Sequence, residues 1–164
     1  MANAVYQKSG TAVKWSDTTG DLAMTLNNLA AGAGRQGAVK DWGALSTARP
    51  ALYHFRLLVQ FDTAPVVGES VTLYWKSGDG TDYDNDDGTG DAALSAADKL
   101  KNLHFLGELI VDEAAADVDM SIQGFFTDLN KEGMPVVYNG TVDNLQATNN
   151  VNFVTITPIF DEVQ

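Results

Sequence analysis

At 164 residues, with a formal charge of −12 and no cysteine, the chain fits one acidic domain. The missing thiols exclude a disulfide, a thiolate zinc site and a cysteine nucleophile. A body this acidic repels phosphate backbones, so no nucleic-acid partner is expected.

No apolar run approaches the roughly 20 residues that span a bilayer, so no membrane role is expected either. The start, Met-Ala-Asn-Ala-Val-Tyr-Gln-Lys, lacks a charged-then-apolar leader, which predicts synthesis in the cytosol. The charge is uneven. Residues 1–56 hold six Lys/Arg against three Asp, a balance of +3; residues 57–164 hold four against nineteen, a balance of −15. The acidic portion reads as a solvated surface, and the basic portion as a segment suited to an acidic protein partner.

In chain order, Ala4–Lys14 is polar and weakly apolar, with a short strand predicted over Thr11–Trp15. Asp17–Gly20 is a turn, and Asp21–Leu26 a strand facing Leu22, Met24 and Leu26 inward. Ala30–Gly37 matches the spacing Gly32-x-Gly34-x-x-Gly37 of a phosphate loop. Gly43 and Pro50 follow, however, with no helical pattern and no βαβ alternation, so the segment reads as a bend or flexible stretch. Val39–Arg49 is a loop carrying Trp42. Tyr53–Phe61 alternates strictly, with Tyr53, Phe55, Leu57, Val59 and Phe61 on one side, and is the predicted central strand. Ser70–Lys76 faces Val71, Leu73 and Trp75 inward and Thr72, Tyr74 and Lys76 outward. Ser95–Asn102 is the one predicted helix, capped by Ser95. Leu103–Val111 presents Leu103, Phe105, Leu109 and Val111; Val118–Phe126 presents Val118, Met120, Ile122 and Phe126. Val136–Tyr138 is a further strand, and Phe153–Thr157 the last, closing on Pro158.

This pattern predicts an all-β, antiparallel, jelly-roll-like β-sandwich with one short helix. Residues 1–50 supply N-terminal strands and a flexible glycine-rich docking segment; residues 51–164 form the sandwich body. Leu57→Ala or Phe105→Ala should cost about 2–5 kcal/mol if both face inward.

The most unusual segment is the acidic loop 77–91, with Asp79, Asp82, Asp84, Asp86, Asp87 and Asp91. It has oxygens enough for calcium, but read from Asp82 its sixth residue is Asp87 and its twelfth Ala93, where an EF-hand needs Gly and Glu. A noncanonical calcium site and a solvated or subunit-ordered loop both remain open. No other cofactor is expected. His54 and His104 lie on the polar phase of their strands without a third metal ligand. No Gly-x-Ser-x-Gly elbow exists, and pairing Glu108, Asp112 or Asp119 for glycoside cleavage is near chance among so many acids, so no enzymatic activity is expected. Tyr74, Tyr83 and Phe125 are exposed aromatics fit for a sugar platform or a subunit contact.

Four runs carry a resemblance that covers most of the chain: Gly34-Arg-Gln-Gly-Ala-Val-Lys-Asp41, Ala48-Arg-Pro-Ala-Leu-Tyr53, Asp86-Asp-Gly-Thr-Gly-Asp-Ala-Ala-Leu-Ser95 and Thr157-Pro-Ile-Phe-Asp-Glu-Val-Gln164. In these the chain resembles small virion structural proteins of tailed bacteriophages. The resemblance implies a head decoration or cement protein on the capsid surface. Its implied partners are the major capsid protein and other copies of itself, commonly as a trimer. A docking role then falls to Arg35, Lys40, Trp42 and Arg49, since Arg pairs carboxylates bidentately. The rival expectations are a tail, receptor-binding or carbohydrate-binding module and a tail-tube or connector protein.

Overall fold

The computed structural model describes residues 5–43, 50 and 52–163. Its strands are β1 (Val5–Ser9), β2 (Val13–Ser16), β3 (Leu22–Ala23), β4 (Gly34–Gln36), β5 (Lys40–Asp41), β6 (Leu52–Val59), β7 (Ser70–Gly78), β8 (Ala92–Ala93), β9 (His104–Ile110), β10 (Met120–Thr127), β11 (Glu132–Asn139) and β12 (Phe153–Val163). They form two sheets. The first runs β10-β6-β12-β2-β3, with β1 also on β12; the second runs β8-β4-β11-β7-β9, with β5 also on β11. All pairings are antiparallel except β2 with β3. The chain is a jelly-roll-like β-sandwich.

Alternation explains the core. On β6, Tyr53, Phe55, Leu57 and Val59 are buried against Val71, Leu73 and Trp75 of β7. As predicted, β6 is internal, flanked by β10 and β12. An aromatic stack runs through the middle: Trp15 meets Trp75 edge-on at 6.2 Å, and Phe126 lies 5.1 Å from Trp75 and 5.2 Å from Tyr53.

Two strands carry a proline in mid-run. Pro158 lies where β12 changes partner from β2 to β1, and Gly10 donates to its carbonyl at 2.8 Å. Pro135 lies where β11 changes partner from β5 to β4. A residue without an N–H is tolerated where the ladder is interrupted. The last strand therefore continues to Val163 rather than closing at Pro158.

The structure corrects several expectations. Residues 97–102 form a 3₁₀ turn, not an α-helix capped by Ser95; Ala96 is the capping residue and makes no side-chain cap bond. The Ser95 hydroxyl instead donates to Asp87. The glycine-rich stretch is woven into the second sheet as β4 and β5. Phe105 points outward and is 54% exposed. The reason is a bulge: Leu73 pairs with Gly107 but Tyr74 with Phe105, so Leu106 is an extra residue that shifts the phase. Leu106 packs on the core in place of Phe105. Leu57→Ala is expected to cost about 2–5 kcal/mol and Phe105→Ala less than about 0.5 kcal/mol, checked by urea unfolding.

Candidate functional site

The acidic loop folds back over the outer face of the second sheet. Paired residues of adjacent strands share a face. Lys76 pairs with Met134, Val136 with Gln36, so all four point to the side away from the main core. All four are fully buried. The loop is thus a third layer, which is why β11 reads as buried on both sides.

Beneath it lies the residue that alternation placed outward. Lys76 is fully enclosed. Its ammonium donates to the Gly88 carbonyl at 2.6 Å and to Gln36 Oε1 at 3.2 Å, 5.6 Å from the centre of the Tyr83 ring. Gln36 Nε2 in turn donates to the carbonyls of Asp87, Gly88 and Gly90 at 3.1, 3.2 and 2.9 Å. Burial pulls the Lys76 amine below its ordinary range, and the charges of Asp87, Asp84 and Asp86 push back. The chain itself supplies the cation under this loop.

The six calcium candidates diverge rather than converge. Asp79 caps its own turn, accepting from the amides of Thr81 and Asp82 at 2.8 and 2.9 Å. Asp84 accepts from the Ser77 amide at 2.8 Å, Asp86 pairs with Lys99, and Asp87 accepts from Ser95. Asp82 contributes its carbonyl to the Asp79 amide at 3.2 Å. Asp91 accepts from Arg35 Nε at 2.5 Å and from the Thr25 hydroxyl at 2.6 Å. Burial alone would raise its carboxyl, but Arg35 and Thr25 outweigh it and hold it below the ordinary range. Among the described residues no three His, Cys, Asp or Glu are grouped to hold a metal.

Tyr83 closes the far end of the loop by donating to Glu132. That bond, with burial second, raises its phenol to about 12. A folded value above the unfolded one contributes stability below pH 10 that is lost as pH climbs toward about 12. Tyr83→Phe should therefore flatten the alkaline fall in melting temperature over that window, measured by circular dichroism.

The docking candidates separate. Arg35 is engaged internally by Asp91. Lys40 and Trp42 line a groove of about 600 Å³ with Asp21, Leu22, Pro158 and Phe160. The Lys40 ammonium sits 5.8 Å from the Trp42 ring centre. Arg49 lies outside the described residues.

A second surface arises where β9 and β10, the edge strands of the two sheets, run side by side. Phe125 is 64% exposed there and Phe105 54%. A hollow of about 280 Å³ between them is floored by Leu52, Leu106 and Phe126. His54 lies 5.1 Å from Phe125 with the rings tilted, His104 is edge-on to Phe126 at 6.2 Å, and Tyr74 is edge-on to Phe105 at 5.9 Å. His54 and His104 thus each flank an aromatic. Sequence reasoning found Phe125 but missed Phe105; the adjacent apolar pair Phe105-Leu106 inside an alternating run was the signal for a bulge.

No protein-family model matches this chain, and no curated protein matches it. Several solved structures are similar in fold. The crystal structure of murine APRIL at pH 8.0 is 10% identical with a TM-score of 0.44, over 93% of this chain and 99% of that one. The EclA C-terminal domain, a sugar-binding protein, is 15% identical with a TM-score of 0.34, over 94% and 79%. A heated full particle of Israeli acute paralysis virus is 9% identical with a TM-score of 0.33, over 97% and 71%.

Proposed function

We propose that this protein is a virion structural protein of a tailed phage. In this reading it decorates the outside of the head shell and makes protein contacts rather than carrying out a reaction. The observation that carries the reading is the aromatic seam. Two phenylalanines more than half exposed, on adjoining edge strands, are a costly surface for a soluble monomer and a usual one for a contact. Aromatic side chains dominate interface cores. The chain carries a net charge of −12, which keeps the free protein dispersed until the seam is covered. In this reading the seam joins copies of the chain into a homo-oligomer, a trimer by the family resemblance. The groove at Lys40 and Trp42 faces the major capsid protein.

The test is Phe105→Ser with Phe125→Ser. The double variant should keep the wild-type circular-dichroism spectrum, since both side chains are exposed in the single chain. It should become monomeric by light scattering and stop co-sedimenting with purified heads. Unchanged mass and unchanged head binding would overturn the reading.

A second reading is favoured by one observation. The groove combines Trp42 and Phe160 with Lys40 and Asp21, a mixture of ring faces and charged groups that suits a sugar. Glycan binding by the isolated protein, lost in Trp42→Ala, would favour this carbohydrate-binding module instead.

A further inference from the structure

We infer that the corner formed by the turn after β2, Asn27 and the loop before β12 binds a hard divalent cation of the calcium class. This is independent of the docking reading and of the acidic loop.

The corner is rich in oxygen and its donors are already spent. Asp17 Oδ1 accepts from the amides of Thr18 and Asn150, both at 2.8 Å. Asn150 Oδ1 gathers the Thr19 amide at 2.9 Å and the Ser16 hydroxyl, Thr18 hydroxyl and Thr18 amide at 3.3 Å. The neighbouring Asn149 Oδ1 accepts from Asn27 Nδ2 at 3.2 Å. Two acceptor oxygens remain. Asp17 Oδ2 and Asn27 Oδ1 are both shut off from solvent, and no donor among the described residues reaches either.

Their side chains are tied to the consecutive residues Asn150 and Asn149, which brings them to one corner of the fold. A buried acceptor without a donor is costly, and a buried carboxylate oxygen more so. No ion pair joins Asp17 to a Lys, Arg or His among the described residues. A hard cation requires acceptors only, and it neutralises the carboxylate. Calcium takes carboxylate and carboxamide oxygens with waters completing its shell. Asp17 and Asn27 offer two such oxygens on two chain segments, with waters left to complete the shell. With one carboxylate, the affinity belongs to the weak class, roughly 10⁻⁴–10⁻³ M.

The test uses the full chain, stripped with chelator. Calorimetric titration with CaCl2 should give one site per chain. The melting temperature should rise with CaCl2 more than with MgCl2 or NaCl at matched ionic strength. Asp17→Asn should weaken calcium binding at least about tenfold, while Asp82→Asn in the acidic loop should leave it intact. If Asp17→Asn does not fold, Asn27→Ala is titrated with terbium, whose emission Trp15 beside the corner sensitises, and should show the same loss. Three results overturn the inference: no response beyond the salt control in the wild type, which leaves a bound water as the donor; a response retained in the corner variants; or a response lost in Asp82→Asn.

Discussion

Lys76→Met is expected to lower stability by about 3 kcal/mol and to loosen the acidic loop selectively. The ammonium donates two bonds inside a fully enclosed layer, to Gly88 and Gln36. Bonds to a charged donor are worth about 1.5–3 kcal/mol each, and removing the donor leaves Gln36 Oε1 unmade and Gly88 with its bond from Gln36 Nε2 alone. Methionine fills much of the same volume, so the loss isolates the charge rather than a cavity. The second cost is repulsion. Asp84, Asp86 and Asp87 all sense the Lys76 charge, and without it Lys99 is left to compensate Asp86 and Asp87. Urea unfolding should show the lowered midpoint. Hydrogen exchange should show faster opening over residues 77–91 than over β6 or β12. An unchanged midpoint would mean that the loop closes by its backbone alone.

Trp75→Ala is expected to cost about 3–5 kcal/mol from the lost ring, with a further 1–3 kcal/mol from a polar group left behind. The ring is wedged between Trp15 and Phe126. Its indole N–H donates to Asp128 at 2.6 Å, and Ser77 and the Asn130 amide complete that buried carboxylate's partners at 3.0 and 2.9 Å. Trp75→Phe separates the contributions, because it keeps most of the ring and deletes the donor; about 2–3 kcal/mol is expected. Gly133 gives an independent probe. A Cβ built there would lie 2.2 Å from Trp75 Cζ2, and the ring has no free side toward which to retreat. Gly133→Ala should therefore destabilise by about 1–3 kcal/mol through overpacking, read from the same unfolding curves.

What the sequence made legible was the part governed by strict alternation. Tyr53–Phe61, Val71–Trp75 and Met120–Phe126 face as their period demands, because one side of each strand meets the other sheet. The illegible parts each broke that simple case. β1 is a peripheral strand paired only with β12, and its exposed Tyr6, Gln7 and Lys8 leave little apolar signal. β4 is short and begins on Gly34, whose Cβ position is occupied by Leu94. Lys76 looked solvent-facing because alternation assigns a side, not what later covers that side. The acidic loop was visible as a composition, yet its ordering depends on Gln36, forty positions upstream of Lys76, and no local pattern joins them. Of the docking candidates, Arg35 was drawn inside by Asp91, which the sequence places 56 positions away.

The surplus residue at Leu106 has an evolutionary reading. Because Phe105 stands opposite Tyr74, removing the Leu106 codon would restore uninterrupted pairing between β7 and β9 and still leave the Phe105 ring on the outer face. What the deletion would remove is the contact that Leu106 makes with the core. Lineages carrying this sandwich can therefore lose the surplus residue without losing the adhesive edge.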